Sequence, residues 1–301
     1  MEGVRYVYAG SDRDRKARHG PRRLCNATVG KGLMRVSAVV ERRVTRPPVA
    51  AGTLYPADPE ELREAVDGLL AGVERRTAAG VRGIIAPHDD HARSGATAAS
   101  AFALVPDDTR VVLLGPSHYV PLAGLAVSGA TAWSTPLGDV HVSSRLRKKA
   151  LALGALVDDE PHAHDHALEV QLPFLQRACG DRLEILPVAV GSCVPGDIVR
   201  LLDALDAFVV VSTDLSHDMS EEAARRRDRE TVDSILRAEP HSIRDGDVCG
   251  VFALRGILEL AKSHDLAIEL LDLRTSADAT SDGDHVVGYG AFAVSSSSPS
   301  G

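Results

Sequence analysis

Val111-Val112-Leu113-Leu114 and Phe208-Val209-Val210-Val211 are unbroken apolar runs, and each is cut off by a polar turn, Gly115-Pro116-Ser117-His118 and Ser212-Thr213-Asp214 respectively. A strand with one face in water alternates apolar and polar residues. A strand that is apolar at every position needs cover on both faces, which is the situation of a largely parallel sheet between layers of helices. Ile84-Ile85-Ala86 is a third run of this kind, stopped by Pro87 and followed by His88, Asp89, Asp90 and His91.

The remaining chain supports the same architecture. Strand-like runs fall at Val81–Ala86, Val111–Gly115, Gly124–Ser128, Leu183–Val190, Phe208–Ser212, Ala267–Leu273 and Val286–Val294. Between them, helical spacing of apolar residues predicts helices near Ala96–Leu104, Ser144–Leu153, Ala167–Arg177, Pro195–Leu205, Glu221–Arg237 and Gly250–His264, with an earlier one opened by Asp58 and Pro59. Pro173 is expected to kink the helix that contains it. The expectation is a single-domain α/β sandwich around a mixed, mainly parallel sheet spanning residues 46–294. Residues 1–45 read as a basic, disordered extension, with Met34 as an alternative start, and residues 295–301 as a disordered polar tail.

Charge separates the extension from the body. Residues 1–46 hold twelve Lys and Arg against four Asp and Glu, about +8, which leaves 22 against 38, about −16, for the rest. An acidic body does not suit nucleic acid, since phosphate binding needs a basic face. No apolar run approaches the roughly 18 residues that a membrane-spanning helix needs, so neither partner class is expected. Four cysteines, Cys25, Cys179, Cys193 and Cys249, show no paired spacing, as in a reduced, cytoplasmic protein.

Candidate chemistry lies just past the strand ends, where open α/β sheets bind ligands. His88, His118 and the pair Asp214 and His217 each follow an apolar run. Their wide separation excludes a compact helical zinc motif and leaves a site assembled from several strand ends. Two imidazoles and one further donor make an open three-ligand site, and Cys249, at the predicted start of a helix whose dipole favours a thiolate, is the candidate third donor. His162, His164 and His166, by spacing alone, read as a solvated loop leading into a helix.

Seven ordered stretches carry a resemblance: "RPPVAAGTLYPADPEEL" (46–62), "APH" with "SG" (86–95), "LLGPSHYVPLAGLAVS" (113–128), "DHALEVQLPFLQ" (165–176), "STDLSH" (212–217), "CG" (249–250) and "VVGYGAFAV" (286–294). Together they resemble the Memo family, whose bacterial members are called AmmeMemoRadiSam system protein B. The resemblance implies a fold like that of class III extradiol ring-cleavage dioxygenases, with a mononuclear metal held by His88, His118 and Cys249, and with Asp214 and His217 in the same pocket as the catalytic pair. It also moves His166 and Glu169 into the pocket, beside Ser117 and Tyr119, and leaves His162 and His164 as surface loop residues. Where the family commonly reads "PHAGYxYSG", this chain reads "PHDDHARSG". Asp90 and His91 are therefore expected either to add to the pocket or to form a more polar turn in water.

The function these residues imply is a metal-dependent oxidoreductase of dioxygenase type. One divalent ion, Fe(II) first and copper or zinc as alternatives, would bind a small aromatic or electron-rich substrate in its open positions. A protein that holds copper or iron, or a peptide, without turnover is the first alternative, and a metal-dependent hydrolase the second. The family's bacterial name implies a pathway link to a radical-SAM enzyme.

Overall fold

The computed structural model describes residues 43–74, 78–107, 109–280 and 283–296. All but residues 43–45 of the basic extension and most of the polar tail fall outside these residues. The described chain opens with β1 (Thr45–Arg46) and then α1 (Pro59–Ala71). Asp58 caps α1 by accepting from the backbone N–H groups of Glu60 and Glu61, and Pro59 starts it where no N–H is needed.

β2 (Val81–Ala86) leads through the polar turn into α2 (His91–Phe102), five residues ahead of the helix expected near Ala96, because the Asp90 carboxylate caps it by accepting from Ala92 N–H. β3 (Arg110–Pro116) follows, then β4 (Leu125–Val127) and a hairpin of β5 (Ala132–Thr135) with β6 (Gly138–Val142). After α3 (Ser144–Ala152) come β7 (Leu156–Val157), the single turn α4 (Glu160–Ala163) and α5 (Leu172–Cys179). Pro173 lies in the first turn of α5, where its missing N–H costs nothing, so it starts that helix and does not kink it. Residues 167–171 form the irregular approach to it.

The second half runs β8 (Glu184–Val190), α6 (Pro195–Ala204), β9 (Phe208–Ser212), α7 (Glu221–Leu236), α8 (Val251–Ser263), β10 (Leu266–Thr275) and β11 (Gly288–Ser296). β11 extends two residues into the stretch read as tail, since Ser295 and Ser296 pair with Ala267 and Leu266.

The strands form one mixed sheet in the order β1-β5-β6-β8-β3-β9-β2-β11-β10, with β4 on β8 and β7 on β4. Its centre, β6-β8-β3-β9-β2, is parallel, and β11 runs antiparallel to both β2 and β10. Period-2 alternation divides the apolar runs between two cores. Val112, Leu114 and Val211 face α6, α7 and α8 through Ile198, Ile235 and Leu254, whereas Val111, Leu113 and Val210 face α1, α2 and α5 through Leu62, Phe102 and Leu175. Burial on both faces is what the unbroken apolar runs demanded.

The strand order positions the site. β9 lies between β3 and β2, with Leu114 opposite Val211 and Ala86 opposite Ser212. The carboxyl ends of three neighbouring parallel strands thus open side by side.

Candidate metal centre

His88 leaves the end of β2, His118 the end of β3, and Asp214 and His217 the end of β9. Cys249 arrives from outside the sheet, directly ahead of Gly250, the N-cap of α8. The approach is close: a Cβ on Gly250 would stand 2.8 Å from Thr213 Cβ, so only glycine lets α8 begin against β9. One ligand atom each from His88, His118 and Cys249 fall within 4.8 Å of one another. The same holds for Asp214, His217 and Cys249, and for His118, Asp165 and His166. The three donors expected from the sequence converge, and two further groups of donors share members with them.

His88 is buried, with Nε2 3.3 Å from Cys249 Sγ and 3.7 Å from Asp214 Oδ2. Its Nδ1 lies 2.9 Å from Ser212 Oγ, and its backbone N–H donates to Asp214 Oδ1. His118 is more open, with Nδ1 3.1 Å from Asp165 Oδ1. The rings of His118 and His166 stack at 5.2 Å, and His88 meets both edge-on. Burial, then the neighbouring His118, holds His88 well below the usual imidazole range, so it is neutral and available as a donor.

Burial pushes the Cys249 thiol up to about 12, and the Asp214 charge adds to this. The helix dipole expected to favour a thiolate is outweighed by desolvation, although Asp214 N–H donates to Sγ at 3.1 Å. Burial also raises the Asp214 carboxyl to about 7, opposed by the His88 N–H and assisted by the charge on Asp89. Burial acts against ionisation of Asp165 too, but the hydrogen bond from the His118 ring leads the contributions that bring it down to about 2.

A divalent ion suits this donor set. Each of the two imidazoles has Nδ1 occupied by the protein framework, which leaves Nε2 as the nitrogen open to a ligand, and a half-buried thiol next to Nε2 of His88 becomes a strong soft donor once it loses its proton. His217 is part-exposed at the mouth, Nε2 4.0 Å from Asp214 Oδ2. Tyr119 is exposed at the rim with its ring near His118, and Ser117 hydrogen-bonds to the carbonyl of Val120.

Three expectations are corrected. Glu169 is not a pocket residue: it is fully buried, 2.5 Å from Arg46 Nη1, and accepts from the N–H groups of Val49 and Ala50 and from the Tyr55 hydroxyl. Asp90 and His91 stand apart from the ligand groups. Asp90 caps α2, and the buried His91 ring packs between Tyr55 and Phe174 and donates from Nε2 to the Val170 carbonyl. His162 is not a surface residue but is 2 % exposed, edge-on to Trp133 with Nε2 3.2 Å from the Ala126 carbonyl, while His164 is exposed as expected.

The residues missed are those behind the ligands: Asp165, Gln171 and Ser212. The signal for Asp165 and Gln171 was available in "DHALEVQ", where an acidic residue and an amide flank the segment that packs on the strand ends, and Ser212 opens "STDLSH".

A family model described as Memo-like protein matches residues 46–293. A MEMO1 family protein of Aquifex aeolicus is 35% identical over 259 residues, which cover 81% of this chain and 97% of that protein. MEMO1 family proteins of Methanosarcina acetivorans and Methanococcoides burtonii are 32% and 33% identical, each over 83% of this chain and covering 98% and 99% of their own lengths.

Proposed function

The chain belongs to the Memo family, and from that premise we propose that it is a non-haem iron oxidoreductase of dioxygenase type acting on a small aromatic or electron-rich molecule. The observation that carries this reading is the convergence of His88, His118 and Cys249 from separate elements, with ligand atoms within 4.8 Å of one another. Three protein donors leave coordination positions for substrate, which is the arrangement of a catalytic and not a closed structural metal site. When bound, an Fe(II) ion would bring two reactants together and take up charge developing on them.

The chain's own residues supply the remainder. His88 and His118 would hold the ion, and Cys249 would join them as the thiolate after losing its proton. His217, with its side chain 43 % exposed, exchanges a proton with substrate. Asp214, buried and 4.0 Å from its Nε2, lies too far for a hydrogen bond and acts on that ring by its charge. The exposed ring of Tyr119 offers an aromatic face at the entrance. The soft thiol donor favours one competing reading, a protein that holds copper or iron without turnover.

Metal analysis of protein purified without oxygen, followed by oxygen uptake against a panel of catechols, tests the proposal. Iron near one equivalent with catechol-dependent uptake supports it. Bound copper or iron with no uptake supports the holding protein, and bound zinc with ester or amide cleavage supports a hydrolase.

A further inference from the structure

The stretch Asp165–Gln171 contains no member of the His88, His118, Cys249 donor group, yet it reaches the Nδ1 side of both imidazoles, directly at His118 through Asp165 and at His88 through Ser212 Oγ. Hydrogen counting settles what it does there. Ser212 Oγ lies 2.6 Å from the Ala167 carbonyl oxygen. Two oxygens this close share a proton, and only the hydroxyl has one, so Ser212 donates to Ala167. The Gln171 side-chain nitrogen lies 2.9 Å from the Pro87 carbonyl, which fixes that atom as the amide N, and its second hydrogen reaches Ser212 Oγ at 2.8 Å. Ser212 Oγ has therefore spent its proton and can only accept from His88 Nδ1, 2.9 Å away.

The same accounting applies to His118. Asp165 Oδ2 accepts from the His118 backbone N–H at 2.7 Å, and Oδ1 accepts from Ala167 N–H at 2.9 Å. A carboxylate surrounded by N–H donors accepts from His118 Nδ1 as well, at 3.1 Å.

We infer that the segment Asp165–Gln171 is a positioning element that sets both His88 and His118 as Nδ1–H tautomers, so that each turns the lone pair of Nε2 toward the cleft. The segment is itself held rigidly. Arg46 donates to the carbonyls of His162 and Asp165 and pairs with Glu169, while Leu168 fits against Gly115 on β3, where a Cβ would come within 2.7 Å of Leu168 Cδ2. One stretch of seven residues thereby controls two donors that leave different strands, one through Asp165 and the other through Ser212.

The consequence for a metal rests on the reading proposed above; the tautomers do not. Long-range proton–nitrogen correlation on histidine-labelled, metal-free protein at neutral pH reads the tautomers directly, and competition against a chelator reads the affinity for Zn(II) alone as the probe. Wild type should show Nδ1–H at His88 and His118. Asp165→Asn faces a conflict, since one amide oxygen cannot serve all three donors, and should shift His118 toward Nε2–H while His88 is unchanged. Ser212→Ala should release His88 and leave His118 unchanged. Each variant should lose about 10- to 100-fold in Zn(II) affinity, as expected when a partner behind a ligand is removed. Nε2–H at both rings of the wild type overturns the inference, as does either variant leaving both tautomers unaltered. If Asp165→Asn does not fold, Ser212→Ala decides alone. Tautomers as stated in a protein that binds no Zn(II) uphold the positioning and overturn the metal reading instead.

Discussion

Two short stretches, His88-Asp89-Asp90-His91 and His162-Ala163-His164-Asp165-His166, are built from the same side chains and look alike in sequence. The fold uses them residue by residue. In the first, His88 faces the cleft, Asp89 accepts from the Tyr289 hydroxyl, Asp90 caps α2 and His91 is buried among aromatic rings. In the second, His162 is buried, His164 is in water, Asp165 holds His118, and His166 stacks on His118. The structural imidazoles, His91 and His162, each place Nε2 on a carbonyl oxygen of another segment, which must accept, so they are Nε2–H. Those of the donor group carry the hydrogen on the other nitrogen. A histidine's role here is decided by what its second nitrogen meets, and the density of histidines says little about it.

The sharpest way to break this comparison is to remove one imidazole of each kind. His88→Ala should abolish stoichiometric metal binding, a loss larger than the about 10- to 100-fold attached to residues behind a ligand, while His91→Ala should retain the metal at a lower melting temperature. Metal content by elemental analysis of both variants decides it, and equal loss would mean the two rings are not different in kind.

Next in size is Glu169, the anchor of the second stretch. Glu169→Ala leaves Arg46 buried and unpaired, which should cost about 3–5 kcal/mol in chemical unfolding. A cost under about 1 kcal/mol would show that the ion pair does not hold this segment.

His162 gives a smaller, pH-dependent effect. Burial lowers it from 6.5 to about 4, so the unfolded chain takes up its proton before the folded one does. Its contribution to stability is present above about pH 6.5 and is lost as pH falls toward 4, up to roughly 3 kcal/mol. Urea midpoints at pH 7 and 5 for wild type and His162→Leu should show a shallower acid-side decline in the variant. The smallest expected effect is that of Asp90→Ala, about 1 kcal/mol for a lost helix cap with metal content unchanged.

The central fold was legible because strands covered on both faces carry their burial at every position, as Val111–Leu114 and Phe208–Val211 do. The hairpin β5–β6 escaped notice because Ala132–Val142 mixes Trp133 and Val140 with Ser, Thr, Asp and His, and its pairing is only partly expressed as alternation. β1 and β7 are two residues each, too short for any pattern. At the site, His88, His118 and Asp214 could be read from their place after apolar runs. Glu169 and His162 could not, since their partners Arg46 and Ala126 lie 123 and 36 residues away and no local pattern announces them. Cys249 was placed correctly for a reason that only half held: the helix start is there, but burial outweighs its dipole.

The place of β9 between β3 and β2 also fixes when the chain can assemble its site. β2 and β3 follow each other closely in sequence but do not pair with each other, and the strand that joins them comes about a hundred residues later. Until residues 208–212 insert, both earlier strands carry open edges, the condition in which chains pair with the wrong neighbour. Closing that gap requires a long loop to be ordered before any contact rewards it, so folding of the centre is slow and non-local. A nascent chain that has emerged only as far as α6 has His88 and His118 in hand but nothing to set them side by side.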